Sequence, residues 1–259
     1  MLVGINGAQG TGKSTLALCL KRLLAERHGL RSVILSIDDL YLGRQQRARL
    51  AGAVHPLLLT RGVPGTHDLE LAAHLLQRLK EPAREWAPVA IPRFIKAIDD
   101  RAPESQWTMV EAPVEVILFE GWCVGTPPQD EAELRKPMNE LEAREDADGI
   151  WRRYVNRQLA TVYASLFAQI DTTIFLQAPD FDSIFRWRLR QEGQNADVLG
   201  STPALEAGAG NRIMGPEELR RFIQHYERLT RHALKLMPER ADAVIELGAD
   251  HEVLEMRFR

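Results

Sequence analysis

The sequence predicts an α/β fold in which a parallel sheet is covered by helices on both faces. Short apolar segments alternate with longer segments whose apolar residues recur at helical spacing. Nearly every predicted strand is apolar throughout, which is typical of parallel strands buried on both faces. The 259 residues, 45% of them apolar, are enough for one large domain that spans 1–259.

The predicted strands are short runs of apolar residues joined by long connections. They lie at 2–6, 32–37, 114–120, 172–177 and 243–247. A further short strand is predicted just before Pro92, because proline cannot donate a hydrogen bond to a strand ladder.

Helices are predicted between these strands. Gly29 is a suitable end for the first helix, Asp68 is a suitable N-cap for the second, and Pro216 fits the first turn of the last. The predicted helices lie at 13–29, 68–80, 149–167, 181–191 and 216–237. Two polar segments lie outside them: an arginine-rich connection over 43–65, and an insertion over 129–148 in which eight acidic residues outnumber three basic ones. Such charge runs are usually solvated.

The composition narrows the classes of protein to which this chain can belong. The net charge of −3 argues against a broad nucleic-acid surface. Cys19 and Cys123 form neither a metal-binding spacing nor a disulfide framework, so we expect reduced thiols and a cytoplasmic location. No run approaches the roughly 18 apolar residues of a membrane span, and no signal peptide is expected. The composition does not predict an oligomeric state.

The segment GAQGTGKS at 7–14 matches G-x-x-x-x-G-K-[ST], the P-loop or Walker A motif. Its glycines allow the backbone to wrap a polyphosphate, and the following helix adds its positive N-terminal dipole. Lys13 is predicted to neutralise the terminal phosphates, and Ser14 to bind Mg²⁺. The preceding strand and following helix disfavour a coincidental glycine turn. The predicted nucleotide-binding residues are Gly7, Ala8, Gln9, Gly10, Thr11, Gly12, Lys13, Ser14 and Thr15.

Two acidic residues are predicted at strand ends, where doubly wound sheets bind ligands. Asp38 in SIDDLYL is suited to take a proton from a substrate hydroxyl and to help hold Mg²⁺, although an aspartate that only caps a turn is the alternative. Asp39 is expected to be structural. Glu120 ends the apolar run VILFE, the Walker B pattern, and with Ser14 and Asp38 completes the predicted Mg²⁺ ligands.

Other P-loop classes are disfavoured. The chain lacks the N-K-x-D motif by which GTPases read the base, and it lacks the signature motif of transporter ATPases. A small-molecule kinase is therefore the favoured class.

The chain resembles the P-loop kinases related to phosphoribulokinase, uridine kinase and pantothenate kinase, and within them the D-glycerate 3-kinase branch. The segments that carry this resemblance are GINGAQGTGKSTL, SIDDLYL, RGVPGTHD, PRFIKAIDDRAP, LFEGWCVG, YVNRQL and FRWRLRQE. The resemblance implies that Asp38 is the catalytic base, Glu120 is a Mg²⁺ ligand, and RGVPGTHD and PRFIKAIDDR line the acceptor pocket. It also implies a helical lid over the phosphates, at about 181–210, that includes Trp187 and Arg188. Relatives commonly carry an acidic residue where this chain has Ile95, which leaves the acceptor open.

An acidic acceptor needs cations for its carboxylate, and arginine is the preferred partner. The candidate cations are Arg61, His67, Arg93, Lys96 and Arg101. With Tyr41, which the resemblance adds, the predicted substrate-binding residues are Tyr41, Arg61, His67, Arg93 and Lys96. The alternative for the arginines is solvation, and for His67 a neutral ring bonded to a turn. In the lid, Arg186, Arg188 and Arg190 are two residues apart and point about 200° apart on a helix. At most two of them can face one phosphate, and Arg188 is selected; solvated arginines are the alternative. The glycine-rich stretch 193–210 indicates a mobile lid.

These features together predict an ATP- and Mg²⁺-dependent kinase that phosphorylates a hydroxyl group of a small acid, with D-glycerate as the leading acceptor. The predicted catalytic residues are Lys13, Asp38 and Arg188, and the expected partner is a small molecule rather than nucleic acid or membrane. Two alternatives stay open. One is a nucleoside- or pantothenate-type kinase, and the other is a nucleotide-switched binding or assembly protein.

Overall fold

A central sheet organises the chain in the computed structural model, which describes residues 1–200 and 215–259. The strands are β1 (Leu2–Gly7), β2 (Ser32–Ser36), β3 (Val89–Ile91), β4 (Phe94–Ile95), β5 (Asp100–Arg101), β6 (Thr108–Val110), β7 (Val116–Gly121), β8 (Thr172–Gln177), β9 (Ala243–Leu247) and β10 (Val253–Phe258). Six of them form the sheet in the order β10-β9-β8-β1-β7-β2, and every neighbouring pair is parallel except β9 with β10. The predicted parallel sheet is confirmed, and β10 is an antiparallel addition that the sequence pattern did not predict.

Helices connect the strands and cover the sheet. They are α1 (Lys13–His28), α2 (Arg44–Ala53), α3 (Leu69–Leu79), α4 (Glu140–Glu145), α5 (Ile150–Gln158), α6 (Ala164–Phe167), α7 (Phe181–Gly200) and α8 (Pro216–Arg240). A π-helical turn, Leu159–Tyr163, joins α5 to α6. In the part of the chain that the structure describes, no helix combines the length and the apolar composition that crossing a bilayer requires.

Both faces of the sheet are buried, because successive residues of a strand point to opposite faces. On β7, Phe119 packs in one apolar cluster with Leu76 of α3, whereas Leu118 packs in another with Ala17 of α1. Helix α8 contributes Tyr226 to the first cluster and Ile223 to the second. This double cover confirms the fold class predicted from the apolar strands.

The connection at 43–65 is more ordered than its polar composition suggested. It contains helix α2, whose Arg47 side chain is fully buried. The Arg47 guanidinium donates to the carbonyls of Leu42 and Leu59, at 2.6 and 3.1 Å, and lies 2.5 Å from the Asp99 carboxylate. These bonds fix the connection against the segment after β4, because a buried guanidinium requires partners for its donors.

The acidic segment over 129–148 also departs from expectation, since two of its acids are buried rather than solvated. Glu142 of α4 is paired with Arg228 of α8 at 2.6 Å, and Asp146 is paired with Arg152 of α5 at 2.9 Å. Helix α7 is longer than the predicted 181–191 and continues to Gly200. The rest of the predicted lid, 201–210, lies outside the described residues.

Candidate active site

The P-loop lies between the end of β1 and the first turn of α1. Gly10 and Gly12 have φ angles of 82° and 88°, which side chains with a Cβ rarely adopt. The first N–H groups of α1 have no partner within the helix and are available to an anion. The Lys13 ammonium donates to the Ala8 carbonyl at 2.9 Å, and burial lowers the pKa of this lysine. The loop therefore has the conformation and charge of an anion cradle.

A cavity of about 460 Å³, here called the P-loop cavity, lies over this segment. The Trp187 indole stacks on His251, with ring centroids 4.1 Å apart, and His251 Nε2 lies 2.8 Å from the Gly10 carbonyl. These contacts connect α7 and the loop after β9 to the P-loop. The lining residues are Gly10, Gly12, Lys13, Ser14, Thr15, Trp187, Arg190 and His251. Of the other predicted nucleotide-binding residues, Gly7, Ala8 and Thr11 are buried within the loop, and Gln9 lines a second cavity.

Neighbouring strands bring Asp38 close to Glu120. Ser36 at the end of β2 is the register partner of Glu120 on β7, and a 3₁₀ turn, Ile37–Leu40, follows Ser36 directly. The Ser14 hydroxyl of α1 donates to Glu120 Oε1 at 3.1 Å. Parallel strands end at the same edge of a sheet, so all three predicted Mg²⁺ ligands face one cavity.

Asp38 is held by two side chains. The Tyr41 hydroxyl donates to Oδ1 at 2.6 Å, and the Lys96 ammonium lies 2.8 Å from Oδ2. Burial raises the pKa of Asp38, but Lys96, Tyr41 and Lys13 together outweigh it and lower the pKa to about 2. Asp38 is therefore an ionised carboxylate at neutral pH. Asp39 instead accepts a hydrogen bond from the Phe94 N–H at 2.9 Å, which is a structural contact.

The second cavity, here called the inner cavity, has a volume of about 150 Å³ and shares Lys13 and Ser14 with the P-loop cavity. It is smaller than the roughly 300–1,000 Å³ of drug-sized sites, so it suits a compact ligand. Its lining residues are Gln9, Lys13, Ser14, Asp38, Tyr41, Arg61, Lys96, Glu120, Gly121, Trp122, Arg188, Phe222 and Tyr226. The two cavities therefore meet at the Lys13 and Ser14 side chains.

Helix α8 supplies a wall of the inner cavity that the sequence analysis missed. Phe222 and Tyr226 are four residues apart and lie on the same face of α8. The Tyr226 hydroxyl donates to the Arg61 carbonyl at 2.9 Å, and the Trp122 indole donates to the Gly62 carbonyl at 2.9 Å. The spacing of two aromatics four apart was visible in the sequence, but it is equally typical of any helix that packs on a core.

The structure separates the predicted substrate-binding residues. Tyr41, Arg61 and Lys96 line the inner cavity, and Arg61 is paired with Asp99. Arg93 is exposed and does not line the cavity, contrary to the prediction. The reason is alternation along the strand, because Phe94 turns inward against Tyr41 and its neighbours on either side turn away. Ile95, the position that departs from the family pattern, likewise does not line the cavity.

The structure also corrects the predicted substrate-binding role of His67. It is buried behind Tyr41, with the two rings stacked at 4.8 Å, and it does not line the inner cavity. The Gly65 N–H donates to the Tyr163 hydroxyl oxygen, which lies 2.6 Å from His67 Nδ1. Burial lowers the pKa of His67 to about 4, and the ring is neutral at neutral pH. His67 supports Tyr41 and cannot act as a cation for a carboxylate.

The three arginines of α7 point in different directions, as their spacing requires. Arg188 lines the inner cavity. Arg190 lines the P-loop cavity and lies 3.3 Å from Asp250, and Arg186 donates to the Ser183 hydroxyl at 2.8 Å. Arg188 is therefore the arginine of this helix that faces Asp38 and Lys13 across the inner cavity.

Comparison with known proteins identifies relatives of this chain. No family model matches the chain. An uncharacterized kinase of Schizosaccharomyces pombe is 33% identical over 234 residues, which cover 87% of this chain and 78% of that protein. The chloroplastic D-glycerate 3-kinase of Arabidopsis thaliana is 32% identical over 232 residues, which cover 87% of this chain but 46% of that protein. The solved structure of D-glycerate 3-kinase from Cryptococcus neoformans is similar in fold, with a TM-score of 0.79, 24% identity, and coverage of 100% of this chain and 89% of that one.

Proposed function

Because the chain belongs to the P-loop kinases related to D-glycerate 3-kinase, we propose that it transfers the γ-phosphate of ATP to a hydroxyl group of D-glycerate. As a member of this family it is a phosphotransferase with an alcohol acceptor. One observation carries the proposal: the Asp38 carboxylate shares the small inner cavity with Lys13 and Ser14 of the P-loop.

The residues of the inner cavity can be assigned roles from the chemistry of phosphoryl transfer, which depends on positioning and charge neutralisation. Lys13 and Arg188 place positive charge near the transferred group. Asp38 orients the acceptor hydroxyl and takes its proton as the new oxygen–phosphorus bond forms and the bond to ADP breaks. Tyr41 holds Asp38 in place through its hydroxyl. The low pKa of Asp38 keeps its carboxylate ionised at neutral pH.

Ser14, Asp38 and Glu120 fit a Mg²⁺ ion bound together with ATP, because they offer oxygen donors only. Within residues 1–200 and 215–259, no three His, Cys, Asp or Glu side chains form a metal site by themselves. Mg²⁺ in such enzymes usually takes one or two protein ligands and completes its shell with phosphate and water. When bound, it would neutralise the β- and γ-phosphate oxygens.

An acidic acceptor is favoured by the charge of the inner cavity. Arg61 and Lys96 lie on its wall in addition to the cations that serve the phosphates. Arginine and lysine are the natural partners of a carboxylate. The volume of about 150 Å³ is also small for a nucleoside. These features support glycerate over a nucleoside-type acceptor.

The test is ADP release with D-glycerate, uridine and pantothenate in parallel, using wild type and Asp38→Asn. We expect glycerate to give the highest kcat/KM. We expect Asp38→Asn to lower kcat by about 10²-fold or more, while ATP affinity stays nearly unchanged. The matched control is Asp39→Asn, the adjacent carboxylate that faces Phe94 instead of the cavity.

Other outcomes are informative. A preference for uridine or pantothenate would replace glycerate as the acceptor but keep the kinase assignment. ATP hydrolysis that no small acceptor stimulates would instead favour a nucleotide-switched protein. Full turnover in Asp38→Asn would show that the assigned base is wrong.

A further inference from the structure

The free edge of strand β10 is unusually apolar for a surface. Within the described residues, β10 pairs with β9 on one side and with no strand on the other. Its exposed residues include Leu254 at 59%, Met256 at 54% and Phe258 at 76% of full exposure. A long, apolar, unpaired strand edge is a template for pairing with another strand.

The backbone of β10 shows which groups are available at this edge. The Arg259 N–H donates to the Asp242 carbonyl at 2.9 Å, toward β9. Because N–H and C=O groups of successive residues point to alternate sides of an antiparallel strand, Arg257 and Glu255 also face β9. The N–H and C=O groups of Met256 and Phe258 therefore face outward. A partner strand can take hydrogen bonds at these two residues.

The side chains of β10 select one partner and one register. Two copies related by a two-fold axis pair antiparallel, and the axis passes through one residue. An axis at Glu255 would place two glutamates opposite each other, and an axis at Arg257 would place two arginines opposite each other. An axis at Met256 places Glu255 opposite Arg257 of the second copy, and Arg257 opposite Glu255 of the second copy. Opposite charges across a strand pair stabilise it, and like charges destabilise it.

We propose that two copies of this chain associate through β10, antiparallel and centred on Met256, so that two six-stranded sheets become continuous. The register shift between Val253 and Glu255 falls at Leu254, which lies opposite Phe258 of the second copy, so the regular part of the interface is the Met256 pair and the two Glu255–Arg257 pairs. Glu255 and Arg257 already contact each other at 3.2 Å within one chain, which shows that both side chains lie on the same face. Charged side chains on an edge strand disfavour pairing with unrelated strands. In this arrangement, however, Glu255 and Arg257 of one copy are complementary to Arg257 and Glu255 of the other.

The test uses two charge reversals, Glu255→Arg and Arg257→Glu, with mass measured by light scattering or sedimentation at tens of micromolar protein. Wild type is expected at twice the 29.3 kDa chain mass. Each single variant is expected at half the wild-type mass, because like charges then face each other across the axis. An equal mixture of the two variants, and the double variant Glu255→Arg/Arg257→Glu, are expected to recover the dimer mass because opposite charges face again.

The matched control is Glu26→Arg on α1, an exposed charge reversal away from β10. It is expected to keep the wild-type mass. Recovery of the dimer in the mixture shows that both variants are folded and that the lost association was electrostatic. A monomeric wild type, dimeric single variants, or a mixture that stays monomeric would each overturn the proposed interface.

Discussion

The buried pair between Glu142 of α4 and Arg228 of α8 offers a sharp test of how the acidic segment is held. The guanidinium contacts both carboxylate oxygens, at 2.7 and 2.6 Å. It also donates to the carbonyls of Glu133 and Lys136, at 3.0 and 2.7 Å. Arg228→Met removes these donors and leaves the Glu142 carboxylate buried, with the Met138 N–H at 2.8 Å as a remaining donor.

The expected loss follows from burial, since the Glu142 side chain has no exposed area and that of Arg228 is 8% exposed. Breaking a buried ion pair by removing one partner costs about 3–5 kcal/mol of unfolding free energy. A domain of this size loses about 2–4 °C in Tm for each kcal/mol, so Arg228→Met should lower Tm by about 6–20 °C. Glu142→Leu in the same chain should recover part of the loss, because no charge is then left buried.

The assay is thermal unfolding followed by circular dichroism, and the matched control is Arg221→Met. Arg221 joins the same two helices through Glu145, but its side chain is 53% exposed. Exposed pairs contribute about 0–1 kcal/mol, so the control should shift Tm by no more than about 4 °C. Equal shifts in the two variants would refute the view that Arg228 anchors the acidic segment to the helix that carries the cavity wall.

Two further predictions concern the site and its pH dependence. In steady-state assays, Lys96→Met should raise KM for glycerate about 10-fold and leave KM for ATP unchanged. The control Arg93→Met lies outside the cavity and should leave both KM values unchanged. Equal effects of the two substitutions would contradict the proposal that Lys96 binds the acceptor. A charged hydrogen bond contributes about 1.5–3 kcal/mol, and the smaller value applies because the Lys96 side chain is 61% exposed. Burial lowers the pKa of His225 to about 4, so the unfolded chain binds a proton there that the folded chain does not. The free energy of unfolding should therefore fall as the pH drops from about 6.5 toward 4. Tm measured across this pH range should fall less in His225→Gln than in wild type. Parallel declines in the two proteins would contradict this role of His225.

The part of the site built from strand ends was predictable from the sequence. In a parallel sheet, every strand delivers its following residues to the same edge, so Asp38 and Glu120 had to lie near the P-loop once their strands were recognised. Lys13 and Ser14 follow from a motif whose spacing is fixed by the phosphate it binds. These residues depend on local sequence and sheet topology alone.

The remainder depends on contacts between distant segments, which a sequence pattern does not encode. Arg47 is polar in sequence but fully buried, because carbonyls and Asp99 from other segments surround it. His67 could be either a cation or a neutral ring, and only the proximity of Tyr163 and Tyr41 decides this. Phe222 carried no signal beyond helical spacing. Local sequence patterns thus predicted which side chains lie near the site. Packing between distant segments decided whether those side chains are charged and which way they point.

Three cations of the inner cavity are held by groups of the chain itself in this structure. Lys96 is paired with Asp38, Arg61 with Asp99, and the Lys13 ammonium donates to the Ala8 carbonyl. Mutual repulsion would otherwise scatter these positive groups, since nearby like charges disfavour each other. An anionic ligand that enters therefore replaces a partner that each cation already has. Two carboxylates and one backbone carbonyl thus orient these cations in advance for an anionic ligand.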